Sequence, residues 1–158
     1  MKIKSIIPPT LFISTVLALN GIATAIDTPE VYAKPLPDPV PVAELEAEDH
    51  ITKVAKQYGL DPSVVKALIE EESGWCASAE GDGGNSIGLM QIQERWHKER
   101  MKRLGVTNLY DPKQNVTVGC DILAELLGKY GNYKDALSVY NSGNTEDGKA
   151  YAERILNR

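Results

Sequence analysis

The sequence predicts an all-α fold, a compact domain of about six helices. Three observations carry that expectation. Apolar residues recur at helical spacing from about residue 48 onward, Asp-Pro pairs and glycines stand where helices should start and stop, and no stretch shows the apolar–polar alternation of a half-buried strand. With 158 residues, 42% hydrophobic and 25% charged, the composition is that of an ordinary globular chain with one domain.

The elements follow in order. Ile51, Val54, Ala55 and Tyr58 fit the i, i+3, i+4, i+7 pattern from about Glu48, and Gly59 supplies a stop. Asp61-Pro62 then opens a second helix, a capping side chain followed by a proline suited to the first turn, which should run to Ser73 and bury Val65, Leu68 and Ile69. A glycine-rich loop from Gly81 to Gly88 leaves room for a short hairpin, and an apolar segment around Leu89, Met90 and Ile92 follows it. Trp96 to Leu104 reads as a charged third helix closed by Gly105. Asp111-Pro112 opens a fourth, with Val116, Cys120, Leu123, Leu126, Leu127 and Tyr130 on one face and Gly131 at its end. A short helix from Lys134 to Tyr140 and a final one from Thr145, carrying Tyr151 and Ile155, complete the set.

The N-terminal part has a different character. Residues 1–25 hold Lys2 and Lys4, no acid, an apolar stretch from about Leu11, and the small-residue run Ala23-Thr24-Ala25. That is the layout of a secretory signal peptide cleaved near Ala25. An uncleaved anchor is the alternative, and Pro8, Pro9 and Asn20 weigh against it, because about 20 continuous apolar residues are needed to span a bilayer. Residues 26–46 contain Pro29, Pro35, Pro37, Pro39 and Pro41 and no helical period, so they are expected to form an extended spacer before a folded domain at 47–158. The spacer also offers a place for cell-envelope or secretion-apparatus proteins to bind; the domain itself is expected to be a monomer.

Export would put the two cysteines, Cys76 and Cys120, in an oxidising compartment, and a bridge between them is expected. It would close a loop of about 45 residues and stabilise the fold by about 4 kcal/mol. Two buried free thiols are the other option. The net charge of -5 becomes about -7 without the two leader lysines. An acidic chain of this kind is not a nucleic-acid binder, and an anionic polymer would have to be recognised by the shape of a groove. His50 and His97 have no metal-ligand spacing and read as surface residues; no metal site and no cofactor are expected.

One carboxylate is out of place. Counting back from Glu72 by seven, four and three gives Val65, Leu68 and Ile69, so Glu72 extends the apolar stripe while Glu70 and Glu71 turn elsewhere. Desolvation and the C-terminal end of the helix dipole both disfavour its ionised form. A carboxyl group that keeps its proton near neutral pH can protonate a leaving oxygen, as breaking a glycosidic bond requires. The plainer reading places Glu72 at a frayed helix end, paired with a lysine or arginine.

Three short motifs weigh on that choice: EESGW at 71–75, GLMQI at 88–92 and YNSG at 140–143, in this order and at these separations. Together, and over about residues 49–156, they resemble the soluble lytic transglycosylase family, whose domain is related to goose-type lysozyme. The resemblance implies a lysozyme-like fold and makes Glu72, followed by Ser73, the catalytic acid. It implies that Gly88, Leu89, Met90 and Gln91 line the substrate groove and that Tyr140 and Asn141 stand near the carboxylate. Asn115 and Gly119 resemble the family's helix after an Asp-Pro turn. Ser73, Met90, Gln91, Tyr140 and Asn141 are thus the expected contacts to peptidoglycan glycan strands. Gln91 brings an amide for sugar hydroxyls or acetamido groups, Met90 a conformable apolar surface, and Tyr140 a hydroxyl for Glu72 or the substrate. Two features depart from many relatives: Cys76-Ala77 where Asn-Pro is common, and the glycine-rich loop 80–85. Asp82 and Asn85 there resemble part of a calcium loop, without the bidentate glutamate that would finish it.

The mechanism implied uses one residue twice. Glu72 protonates the glycosidic oxygen, the sugar's own N-acetyl group supports the positive centre, and the C6 hydroxyl then gives its proton to Glu72 as it closes a 1,6-anhydro ring. Hydrolysis with Asp82 or Glu80 as a second carboxylate stays open at the sequence, as does an inactive wall-binding or assembly module.

Overall fold

The computed structural model describes the backbone of residues 42–158 and the side chains of residues 47–158. The expected signal peptide and most of the Pro-rich segment lie outside the described residues. Six helices form: α1 Val42–Gln57, α2 Pro62–Ser73, α3 Glu94–Leu104, α4 Pro112–Tyr130, α5 Tyr133–Ser142 and α6 Lys149–Leu156. Between α2 and α3 lie three two-residue strands, β1 Glu80–Gly81, β2 Ser86–Ile87 and β3 Ile92–Gln93, joined antiparallel in the order β1-β2-β3. Ile87 faces Glu80 on one side and Ile92 on the other. The short hairpin that the glycine-rich loop left room for forms as β1–β2, and the apolar segment after the loop adds a third strand, which the sequence did not announce.

The punctuation residues act as their chemistry suggests. The Asp61 carboxylate accepts from the Ser63 backbone N–H at 2.8 Å and Pro62 takes the first turn; at the other end Gly74 adopts φ 55° and its N–H returns to the Glu70 carbonyl. This stop leaves Glu72 in the last turn of α2. Asp111 caps α4 in the same way through the Gln114 N–H at 2.9 Å. Two ends differ from expectation. Helix α1 begins at Val42, inside the segment read as spacer, because Ala43, Glu44, Leu45 and Glu46 are strong helix formers that lack an apolar period. Helix α6 begins at Lys149 rather than Thr145, because the Asn144 side chain accepts from the N–H groups of Glu146 and Asp147 and closes a turn there. Gly148 then lies against α5, where an added Cβ would come 2.2 Å from the Ser138 carbonyl oxygen.

Helix α4 runs through the middle of the domain and packs against α1, α3 and α5, while α6 packs against α5 and α2. Val65, Leu68 and Ile69 of α2, Val116, Val118 and Leu123 of α4 and Leu137 of α5 are fully buried. Each such side chain contributes about 1.5–3 kcal/mol over its exposed state. One polar residue is set into this core. Asn115, with no exposure, accepts from the Met90 N–H at 2.8 Å and donates to the carbonyls of Ile87 at 2.8 Å and Leu109 at 2.9 Å. Gly88 makes room for it, since an added Cβ there would meet the Asn115 amide at 2.4 Å. The segment carrying residues 87–91 is thus tied to α4 by side-chain hydrogen bonds as well as by packing.

The expected bridge does not form. Cys76 is an exposed thiol in the loop after α2, 3.5 Å from the Ser78 hydroxyl, and Cys120 is a buried thiol within α4. The chain uses Cys120 as a small apolar side chain of the core, and burial pushes its thiol up to about 12.

Candidate active site

Along one side of the domain lies a cleft of about 650 Å³, lined by Glu72 of α2, Asp82 and Gln91 of the strand region, Trp96 and Arg100 of α3, and Tyr140 of α5, among others. Its size falls within the range of ligand-binding clefts and exceeds what a single pyranose ring needs. Glu72 is partly buried at its edge. The carboxyl accepts a short hydrogen bond from the Tyr151 hydroxyl of α6. Burial raises its pKa above the ordinary glutamate range, the charges of Glu71 and Asp82 push the same way, and only the Tyr151 hydrogen bond opposes them. Its position in the last turn, near the negative end of the helix dipole, acts in the same direction as burial. The neighbouring Glu71 has the opposite environment. It pairs with Arg154 of α6 at 2.7 Å and with Arg158, and the Arg154 guanidinium foremost holds its carboxyl below the usual range. Two adjacent carboxylates are thus driven apart in proton affinity.

From the strand region Gln91, Ile92 and Gln93 line the cleft with Glu72. Gln91 adopts φ 48°, a left-handed conformation uncommon for a residue with a side chain, and its amide nitrogen donates to the Gly88 carbonyl at 3.0 Å and the Ala79 carbonyl at 3.3 Å. The Tyr140 hydroxyl donates to the Met90 carbonyl at 2.9 Å, and the Ser73 hydroxyl donates to the Leu89 carbonyl at 2.9 Å. The backbone of this segment is therefore held from α2, α4 and α5 at once. Asp82, with φ 50°, faces the same cleft; one of its oxygens accepts from Ser86 Oγ at 2.6 Å and from Gln93 Nε2 at 2.9 Å.

The profile of the transglycosylase SLT domain matches residues 49–155, most of the described chain. The chain belongs to the transglycosylase SLT domain family. Among curated proteins, a transglycosylase of Enterobacteria phage PRD1 is 38% identical over 97 residues, which cover 61% of this chain and 34% of the phage protein. Invasion protein IagB of Salmonella typhimurium is 32% identical over 110 residues, covering 63% of this chain and 68% of IagB. Membrane-bound lytic murein transglycosylase F of Desulfosudis oleivorans is 33% identical over 59% of this chain and 21% of its own length. The chain thus spans about a third of the phage enzyme. Among solved structures, the lytic transglycosylase Slt of Pseudomonas aeruginosa superposes with a TM-score of 0.54 at 22% identity, over 67% of this chain and 17% of that one, a likeness of fold.

Within this SLT domain the expected site residues divide. Glu72, Gln91, Tyr140 and Asn141 line one cleft. Met90 does not line it: its side chain is wholly buried, and an added Cβ at Gly119 of α4 would come 2.3 Å from its sulfur, so it is a core residue whose carbonyl accepts from Tyr140. Ser73 does not line it either and serves as a backbone tie. Tyr140 hydrogen-bonds Met90 rather than Glu72. The tyrosine that meets the carboxyl is Tyr151, which the sequence offered only as an apolar-face residue of the last helix; a hydroxyl on a buried face was the one available signal. His97 is not a plain surface residue. It kinks α3 with φ −123°, lines the cleft, and burial lowers its pKa.

Proposed function

We propose that this SLT domain is a peptidoglycan lytic transglycosylase that cuts the β-1,4 bond between N-acetylmuramic acid and N-acetylglucosamine, with Glu72 as general acid and then general base. The observation that carries the reading is the position of Glu72: a partly buried carboxyl on the edge of a saccharide-sized cleft, with its pKa raised by burial. Glu72 gives its proton to the glycosidic oxygen as the bond to the muramyl anomeric carbon breaks. The substrate's acetamido oxygen supports the cationic centre, and the C6 hydroxyl attacks that carbon while passing its proton to Glu72. No water is consumed, and the acid is regenerated for the next cut. The names of the matched lytic transglycosylases support the substrate, and the wall they act on supports a place in the cell envelope after export.

Asp82 favours a second reading. A second carboxylate on the same cleft could activate water, giving hydrolysis of a muramidase type. Digestion of purified sacculi by residues 26–158, followed by mass spectrometry, separates the two, since the hydrolytic product is one water heavier than the anhydro product. Glu72→Gln keeps shape and loses the titratable proton. Clearance of sacculi should fall by about 10²-fold or more, and unchanged clearance would remove Glu72 from the mechanism.

A further inference from the structure

Trp96 stands out among the residues of the cleft. It is 72% exposed, the most exposed large apolar side chain among the described residues, yet it lines the same cleft as Glu72. Its ring is not loose. The indole N–H donates to Gln93 Oε1 at 3.1 Å, and Arg95, which donates to the same oxygen at 2.8 Å, sits over the ring with its guanidinium 5.1 Å from the ring centre. Gln93 is itself anchored, its amide nitrogen donating to Asp82 Oδ2 at 2.9 Å and Ser86 Oγ at 3.0 Å. A chain of hydrogen bonds therefore runs from the strand region through one amide to the indole. It fixes the angle of a large aromatic surface that stays 72% exposed.

We propose that Trp96 is a stacking platform for a pyranose ring of the glycan, with Gln93 as the residue that positions it. The axial C–H faces of N-acetylhexosamines are apolar and electropositive, and the face of an indole is apolar and electronegative. Orienting the ring beforehand removes the rotamer entropy that binding would otherwise cost. The hydrogen-bonding capacity of the indole is already used within the protein, so the platform reads the sugar face rather than its hydroxyls. The proposal rests on the saccharide reading of the cleft and adds the residue by which the glycan strand is gripped away from the bond being cut.

The test is equilibrium binding of N-acetylglucosamine oligomers of two to six units by calorimetry, in the Glu72→Gln background so that no turnover intervenes. Trp96→Ala should weaken the hexamer by about tenfold, the size of one aromatic stacking contact, and Trp96→Tyr should recover most of that loss. Gln93→Ala should weaken it by a smaller factor. With Trp75→Phe added, Trp96 is the remaining indole, and its emission should shift on adding hexamer and not on adding glucose. Because Trp96 is exposed, the thermal midpoint of Trp96→Ala should match that of its parent. Equal hexamer affinity in Trp96→Ala and its parent, with emission insensitive to the oligomer, overturns the platform. Should the Glu72→Gln protein still clear sacculi, the catalytic assignment falls instead, and the binding comparison still judges Trp96.

Discussion

At the scale of single residues, the proton affinity of Glu72 is raised chiefly by burial and opposed by one hydrogen bond, from Tyr151. The folded chain keeps the Glu72 proton to a higher pH than the unfolded chain does, so folding takes up a proton over that window. The associated stability is fully present below the unfolded pKa and is lost as pH rises through the folded one. Glu72→Gln removes that loss while its amide oxygen can still accept from Tyr151. Its thermal midpoint should exceed that of the parent at pH 7.5, and the gap should close as the pH is lowered to 4. Tyr151→Phe removes the one contact that favours the ionised form. In the proposed mechanism cleavage begins from protonated Glu72, so the alkaline limb of the kcat/KM profile should move to higher pH in this variant. Its rate should fall by about tenfold or more, because the acid is no longer held at a fixed angle. A pH profile that coincides with the parent's would show that Tyr151 does not govern the acid.

At the scale of elements, the segment 87–91 depends on α4 more than on its own strands. Asn115→Ala leaves the Met90 N–H and two carbonyls without partners in a buried place, and should cost about 3 kcal/mol in denaturant unfolding. The helices around this segment were legible because their signals are local. Asp61-Pro62 with Gly74, and Asp111-Pro112 with Gly131, mark the ends of α2 and α4 where the structure has them. What the sequence left unread depends on distant partners. The strands are two residues long and show no alternation; the Asn144 turn competes with helix through a side chain; and Met90 looks like groove lining until Gly119 of another helix is seen to receive it. Spacing could place Glu72 on the apolar face of α2 because helix geometry fixes which face it shares, while its role came only with the resemblance. Spacing could not pair Tyr151 with it, since the two lie 79 residues apart.

At the scale of the whole molecule, the described domain holds together by packing and hydrogen bonds, with its thiols apart. Reducing agent should leave the thermal midpoint unchanged, whereas a bridge of that loop length would have shifted stability by about 4 kcal/mol. Thiol titration of the native protein should find Cys76 alone, with Cys120 reacting after denaturation. Helix α1 also sets where the domain can be trimmed. Residues 42–158 should unfold as cooperatively as residues 26–158 and cut sacculi at a similar rate, measured by calorimetry and product release.

The docking of α6 against α2 has a further result. Lys149–Leu156 brings Tyr151 to the acid and Arg154 to its neighbour, and both contacts are missing from any chain interrupted before that helix. A polypeptide still being made would already carry Glu72 and yet lack the partner of its carboxyl, which arrives 79 residues later with the last helix.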